Sequence, residues 1–424
     1  MERYSEYKDS GVQWLGEIPG HWERTKVSRL FKQIGSGTTP SSGDASLYAD
    51  KGTPWLQSGD FNNNEINSTS KFITDKALDN YCLKLYKPGS IVIAMYGASI
   101  GKVGLLNIAT TVNQACCVLS DSDHLLQKYA FYVFVNEKEN LIKKSKGGTQ
   151  PNISQEIIKS HYIPLPPLSE QHSIVSYLDD KCGKIDKMLE GKQKQIELLA
   201  EMKQRIIADA VTRGLNPDVK MKATNIPWLP EIPEHWELRK MKYLFRERSE
   251  KNHPAEPMLS ATQTHGVILQ SKYSGRVVVV NTGFEGLKLV KVGDFVIHLR
   301  SFQGGIELAH DQGIISSAYT VLSLNDSTQS DYFRYLFKSI PFIDLLKTCV
   351  TGIREGQTIN YAKLKQNRIP LPPLDEQRAI VLYITEKTAK IDTLTSKLQQ
   401  EIESIKEYKQ RLISDVVTGQ IKVS

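Results

Sequence analysis

A chain of 424 residues, 40% apolar and 24% charged, is long enough for two or three domains with their own cores and has the balance of an ordinary soluble protein. Its net charge of +7 is mildly basic, which permits a nucleic-acid partner and excludes the extreme of a histone-like binder. No apolar run approaches the roughly 18 residues of a membrane-spanning helix, and the charged opening MERYSEYKDSG lacks the apolar stretch of a signal segment.

The first recognisable element is VQWLGEIPGHWE at 12–23, which returns as IPWLPEIPEHWE at 226–237. Next, YKPGSIVIA around Gly89 reads as a turn followed by a strand, and VKVGDFVIH around Gly293 repeats it. QACCVLS at 114–120 is a further strand, matched by SAYTVLS at 317–323; Cys116 and Cys117 then face opposite sides. Tyr129, Tyr132 and Phe134 follow at helical spacing, as do Tyr332, Tyr335 and Phe337. The five cysteines form no C-x-x-C pair, so neither a zinc site nor a disulfide framework is expected, and a reducing cytoplasm is.

Residues 163–212 return at 369–418 with 26 of 50 positions identical, which marks a true internal repeat. Each copy opens on IPLPPL, whose prolines cannot lie inside a helix. Ser169 and Asp375 stand where N-caps are expected. Apolar residues then recur at steps of three and four. One seam runs from Val175 to Ala210 with Lys192 and Lys203 as its polar members; the other runs from Val381 to Val416 with Thr388, Thr395 and Lys409. Such a seam, about six heptads long, predicts a coiled coil in which the two copies are partners, with packing of each helix on its own globular neighbour as the alternative. Roughly 44 residues at about 1.5 Å each make a helix on the order of 65 Å long.

The predicted fold class is α+β: two globular domains separated by two long antiparallel coiled-coil helices, related by a pseudo-twofold internal repeat. The boundaries are 1–165 for the first domain, 166–213 for the first helix, 214–225 for a polar linker, 226–371 for the second domain and 372–424 for the second helix. The ends of each half hold register while the centres diverge. Two related but different modules suit a two-part linear target such as DNA, read as two unlike half-sites.

These residues carry a resemblance. The duplicated IPLPPL-x-EQ, the duplicated P-x-HW-E and the KQR-x-I at each helix end are similar to those of DNA specificity subunits of type I restriction–modification systems. The interiors resemble them too: GSGTTPS (35–41), TPWLQSGDF (53–61), GASIGKVG (97–104), GGTQPNIS (147–154), FQGG (302–305), GIISSAY (313–319) and GQTIN (356–360). The resemblance covers nearly the whole chain. It implies that each globular domain is a target recognition domain for double-stranded DNA and that the helices are the spacer. It implies two modification subunits, which bind S-adenosylmethionine and methylate adenine, and restriction subunits that use ATP and Mg for translocation and cleavage. This chain itself would bind no cofactor and no membrane.

Candidate base and phosphate contacts are polar residues in loops of the divergent centres, because Arg suits guanine edges, and Asn or Gln suits adenine. They are Thr38, Ser58, Tyr96, Ser99, Lys102, Lys146, Thr149, Gln150 and Asn152 in the first domain, and Gln263, Arg300, Gln303, Arg354, Gln357 and Asn360 in the second. Each is equally compatible with a turn former or an ordinary surface residue. GASIGKVG is not a phosphate loop: three residues separate Gly97 from Gly101 where the cradle needs four, and Val103 stands where Ser or Thr belongs. A tight turn between strands is expected there, with Lys102 free to meet a phosphate. Asp60, Glu65 and Lys71 read as a solvated loop, and His21 and His235 as packing residues rather than catalysts. No methyltransferase, nuclease or helicase motif is present, which disfavours a stand-alone enzyme; a coiled-coil scaffold with two unrelated ligand domains is the remaining alternative. The purified chain is therefore expected neither to methylate nor to cleave DNA. Methyl transfer from S-adenosylmethionine by the pure chain, measured with radiolabelled cofactor, would overturn that expectation.

Overall fold

The computed structural model describes residues 2–145, 151–275, 283–297, 305–325, 330–351 and 358–423. They form two compact units, residues 1–192 with 400–424 and residues 193–399. Each long helix therefore contributes residues to both units.

Unit one begins with the antiparallel hairpin of β1 (Tyr7–Asp9) and β2 (Glu17–Pro19). β3 (Glu23–Lys26) pairs antiparallel with β10 (Tyr162–Leu165), the strand that carries the first Ile-Pro-Leu. The central sheet has five strands in the order β4 (Gln33–Ser36), β9 (Cys116–Ser120), β7 (Ile91–Ala94), β8 (Val103–Leu106), β6 (Asn64–Ile66). A second sheet runs from Thr111–Val112 through β5 (Thr53–Leu56) to Lys71–Ile73 and Tyr48–Ala49. β7 and β9 are buried throughout, as strands covered on both faces are. Cys116 and Cys117 do face opposite sides: they join two different core clusters. Helix α1 (Gln127–Lys143) covers one face with Tyr129, Ala130, Val133 and Phe134.

Unit two repeats this frame. β11 (Met221–Ile226) pairs with β12 (Leu229–Pro233), and β13 (Glu237–Lys240) with β18 (Arg368–Leu371). Its central sheet has the order β14 (Phe245–Arg248), β17 (Thr320–Leu324), β15 (Phe295–Ile297), β16 (Ile306–Leu308), which matches the first four strands of unit one. Helix α3 (Ser330–Lys338) buries Tyr332, Phe333, Leu336 and Phe337. β11 starts inside the stretch 214–225 expected as a linker, at the repeat position of Tyr7. The Gly20 N–H bonds the Glu6 carbonyl, and the Glu234 N–H bonds the Lys220 carbonyl, at 2.9 and 2.7 Å. The repeat thus reaches further upstream than the shared Trp-Leu signalled.

The long helices α2 (Leu168–Arg213) and α4 (Leu374–Val417) each start one residue before the expected caps. The Gln171 N–H bonds the Pro167 carbonyl at 3.0 Å, and the Gln377 N–H bonds that of Pro373 at 2.9 Å. Proline fits there because the N–H it lacks would have no intrahelical partner. Ser169 and Asp375 lie in the first turn instead. Every one of the eleven seam positions on each helix is buried or half-buried. In unit one, Lys409 pairs with Asp186 at 2.6 Å and Lys192 pairs with Glu401, so partner numbers fall as helix numbers rise. In unit two, Lys203 pairs with Asp392 at 2.6 Å. Lys203 and Lys409 share a repeat position, as do Asp392 and Asp186. The seam lysines lay their stems on the apolar stripe and carry the charge to a carboxylate at its edge.

The duplicated motifs meet at the head of each helix. Glu170 accepts from Trp22 Nε1 at 3.0 Å and Tyr4 Oη at 2.8 Å, and faces His21 Nε2 at 2.6 Å. Glu376 accepts from Trp236 Nε1 at 3.0 Å and faces His235 Nε2 at 2.8 Å. The tryptophans are buried, but the two histidines are about half exposed, so they are partners of the glutamates rather than packing residues. The end of the other helix closes the same corner. Tyr129 Oη donates to the Val417 carbonyl at 3.3 Å in unit one, and Tyr332 Oη to that of Val211 at 3.0 Å in unit two. The chain leaves each helix through a left-handed glycine, Gly214 (φ 76°) or Gly419 (φ 75°). A Cβ on Gly419 would sit 2.4 Å from Pro19 Cδ, so only glycine fits that corner.

Burial works to raise the Glu170 carboxyl, but the hydrogen bonds from Tyr4, Trp22 and His21 outweigh it and hold the group below its usual value. A depressed carboxylate stabilises the fold above the unfolded value near about pH 4.3, and that contribution is lost as pH falls through the lower folded value. Glu170→Gln is therefore expected to cost about 1–3 kcal/mol at pH 7. The difference from the parent should shrink as urea melts are repeated at falling pH below about 4. An equal cost at every pH would show that the charge contributes nothing.

Candidate nucleic-acid interface

In unit one the central strands end together, and the loops that leave them carry the expected contacts. β7 and β8 form an antiparallel hairpin whose turn is Gly97–Ser99, so GASIGKVG is the tight turn the sequence predicts. Gly97 (φ 78°) and Gly101 (φ 74°) both need the left-handed region there. The Ala94 N–H bonds the Lys102 carbonyl at 2.9 Å and the Lys102 N–H bonds that of Ser99 at 3.0 Å, which sets Lys102 at the hairpin base. Its side chain is half-buried and makes no ion pair among the described residues.

Hydrogen bonds bring Asn152, Tyr96, Thr38 and Ser58 to this end as well. The Ile153 N–H bonds the Met95 carbonyl at 2.8 Å, which brings exposed Asn152 near Tyr96. The Met95 N–H bonds the Ala115 carbonyl at 2.8 Å. Next to Ala115, Gln114 accepts from the Thr39 hydroxyl, beside exposed Thr38, whose own carbonyl accepts from Trp55 Nε1 at 3.3 Å. Gln155 Nε2 reaches Ser36 Oγ at 2.9 Å and ties the returning chain to β4. Ser58 lies in the turn after β5, held by the Gln57 N–H on Asp60 at 2.8 Å; the preceding Leu56 carbonyl accepts from the Asn113 N–H at 3.0 Å. Burial raises the Tyr96 hydroxyl, first through desolvation and then through nearby Cys116, so it stays a neutral donor at physiological pH. Gln114 was not among the expected contacts. Its signal was present: an amide just before a repeated strand, where the other half carries Ser317.

Lys146, Thr149 and Gln150 lie outside the described residues, as do Arg300, Gln303, Arg354 and Gln357. In unit two, exposed Gln263 sits at the tip between Leu259–Thr262 and Gly266–Leu269, and its carbonyl accepts from Lys338 Nζ at 3.2 Å. Asn360 has a structural duty: its side chain accepts from the Lys363 N–H at 3.1 Å and caps the short helix Tyr361–Leu364. No contact among the described residues brings Gln263 and Asn360 together. Of the expected solvated loop trio, Glu65 and Lys71 are exposed as expected but lie on strands. Glu65 lies on β6 and pairs at 2.9 Å with Lys128, which also reaches Asp179 at 3.0 Å. Asp60 holds the turn after β5, and Lys71 lies on a strand.

One buried polar group had no sequence signal. His161 and Glu137 are fully buried, with His161 Nε2 at 2.9 Å from Glu137 and Lys144 Nζ at 3.2 Å from Nδ1. Trp14 stacks on the imidazole at 5.2 Å, whereas its counterpart Trp228 meets Phe342 edge-on at 5.8 Å. Burial raises the Glu137 carboxyl against the opposing hydrogen bond from His161. The group is enclosed and offers no entry for a substrate. Among the described residues no set of three His, Cys, Asp or Glu could hold a metal ion, and no helix is long and apolar enough to cross a membrane.

Among the described residues the arrangement can donate and accept hydrogen bonds at the strand ends, with Lys102 as a cation without an ion pair at the hairpin, and contains no nucleophile–base pair. A sequence profile described as the type I restriction modification DNA specificity domain matches residues 19–198 and again 232–404. The type I restriction enzyme MjaIX specificity subunit of Methanocaldococcus jannaschii is 23% identical, over 99% of this chain and 97% of its own. The EcoKI specificity subunit of Escherichia coli K12 is 20% identical, over 96% and 90%. A solved structure, described as the basis of complex assembly and conformational transition of the type I R-M system, superposes with a TM-score of 0.69. It is 16% identical and covers 95% of this chain and 99% of its own, which shows a shared fold.

Two substitutions separate contact from capping. Lys102→Ala is expected to weaken binding to all duplexes alike and to lower the slope of log affinity against log salt by roughly 0.9. Asn360→Ala is expected to cost about 1 kcal/mol of stability through the lost cap. A change of base preference on removing Lys102, seen by competition binding, would contradict the first assignment.

Proposed function

This chain belongs to the type I restriction–modification DNA specificity family, and from that premise we propose that each unit reads one half of a bipartite site in double-stranded DNA. The protein is a specificity subunit, a non-catalytic recognition component. The observation that carries the bipartite reading is one strand order built twice around loops of different sequence. A shared frame with unlike loops suits two unlike half-sites. Thr38, Ser58, Tyr96, Ser99, Lys102 and Asn152 are the proposed contacts of the first unit; Lys146, Thr149 and Gln150 extend that set. Gln263, Arg300, Gln303, Arg354, Gln357 and Asn360 are those of the second. Asn360 uses its oxygen as a cap, which leaves its amide N–H groups for a base edge.

Two modification subunits would supply S-adenosylmethionine and transfer methyl groups to adenine, and restriction subunits would supply the ATP- and Mg-dependent steps. The setting is the cytoplasm, where the five free cysteines stay reduced. Mapping of N6-methyladenine across the host genome, with and without this gene, tests the assignment. A bipartite motif that vanishes with the gene supports it; an unchanged methylome refutes it.

We further propose that α2 and α4 pair as an antiparallel coiled coil that fixes the gap between half-sites. The continuous seam and the lysine–carboxylate pairs support this. One heptad is about 10.5 Å of helix, or roughly three base pairs of B-DNA. Deleting matched heptads, 193–199 with the facing stretch of α4, keeps the seam in phase. The expected outcome is the same two half-sites at a shorter spacing, or loss of specific binding because the modules also rotate about the duplex. Methylation at the original spacing would show that the helices do not set the gap.

A further inference from the structure

The cations that both frames keep are not at the loop tips. In unit two, β13 and β18 hold Lys240 directly opposite Arg368. The Lys242 N–H bonds the Lys365 carbonyl at 3.0 Å, so four cations share one end of this ribbon. Lys242 Nζ lies 5.0 Å from the ring centre of Tyr243, which is 63% exposed, and Lys365 Nζ lies 5.9 Å from that of Tyr361. None of the four makes an ion pair among the described residues. The neighbouring acids are engaged elsewhere: Glu237 pairs with Arg239 at 2.9 Å and Glu247 with Lys288 at 3.7 Å. Like charges held face to face across a strand pair cost stability, so folding alone does not favour them.

Unit one has the same ribbon, β3 with β10, and again it is cationic. Lys26 faces Tyr162, and Lys26 Nζ and Arg24 Cζ lie 5.5 and 5.3 Å from the tyrosine ring centre. Exposed Arg29 follows on the next turn. These three also lack ion pairs among the described residues. The residues are not identical between halves, yet the chemistry recurs at the same place in the frame. Groups that read bases must differ between unlike half-sites, whereas groups that grip phosphates carry no sequence information and can recur.

We propose that this ribbon is a sequence-independent contact to the DNA phosphate backbone, present once in each unit. It rests on the DNA-recognition reading above and adds a contact surface outside the divergent loops. Aromatic rings hold Lys242, Lys365, Lys26 and Arg24 by cation–π contact, so these lose little side-chain freedom on meeting a phosphate.

The test uses the full chain assembled with its partner subunits and carrying Lys240→Gln, Lys242→Gln, Lys365→Gln and Arg368→Gln together. Affinity is measured for a duplex with the methylated motif and for an unrelated duplex, over a range of salt. Both affinities should fall by the same factor, with the specificity ratio unchanged. The salt slope should drop by up to roughly 0.9 for each cation removed. Arg24→Gln with Lys26→Gln and Arg29→Gln should behave alike. Because the removed charges repel one another, the first variant should melt no lower than the parent, which separates the effect from misfolding. An unchanged slope, or an altered half-site preference, overturns the proposal. So does failure to assemble with partner subunits in the absence of DNA while the slope stays intact, since the ribbon would then dock an acidic protein surface. If the parent assembly itself shows no salt-dependent DNA affinity, the recognition reading fails along with the ribbon.

Discussion

Each unit depends on one corner, where a buried tryptophan, a glutamate and a helix end are locked together. Trp22 and Trp236 must bury a large ring whose N–H cannot go unsatisfied. Glu170 and Glu376 supply the acceptor from the first turn of a helix, where a negative charge also suits the exposed N–H groups. The last carbonyls of the second helix in the unit then find the phenols of Tyr129 and Tyr332. Neither domain completes its own corner: unit one needs residues 400–424 and unit two needs residues 193–213. The long helices are thus integral to both cores, and their ends are fixed by hydrogen bonds that a sliding helix would break.

Within each unit the seam positions of the helices are buried or half-buried, and polar residues stand among them. A pair such as Lys203 with Asp392 is partly exposed and is worth at most about 1 kcal/mol. The same pair recurs at the same repeat position in unit one, as Lys409 with Asp186.

The frame and the loops obey different constraints. Strands such as β7 and β9 are buried on both faces, which leaves little room for variation. The loops that leave them need only close the chain and are free to carry different polar groups. The proposed base contacts thus fall where the fold is indifferent to sequence, and the proposed phosphate contacts fall on the frame.

The sequence by itself determined the repeat, the helices, their seams, the turn character of GASIGKVG and the family, because each is a local pattern: periodicity, punctuation by Pro and Gly, or a copied motif. The copied motifs were legible as copies but not as a lock, since Trp22 and Glu170 lie 148 residues apart and only the folded chain brings them together. For the same reason His21 and His235 passed for packing residues, β11 was hidden inside a polar stretch, and Asn360 did not announce its capping bond. Gln114 carries no local sign of its partner, because Thr39 lies in the loop after β4, 75 residues away in sequence. Only the tertiary structure decided which polar loops share a sheet edge, which cations stay unpaired, and that each core is finished by the far end of a helix. Those outcomes are set by long-range pairing and burial, which no local pattern encodes.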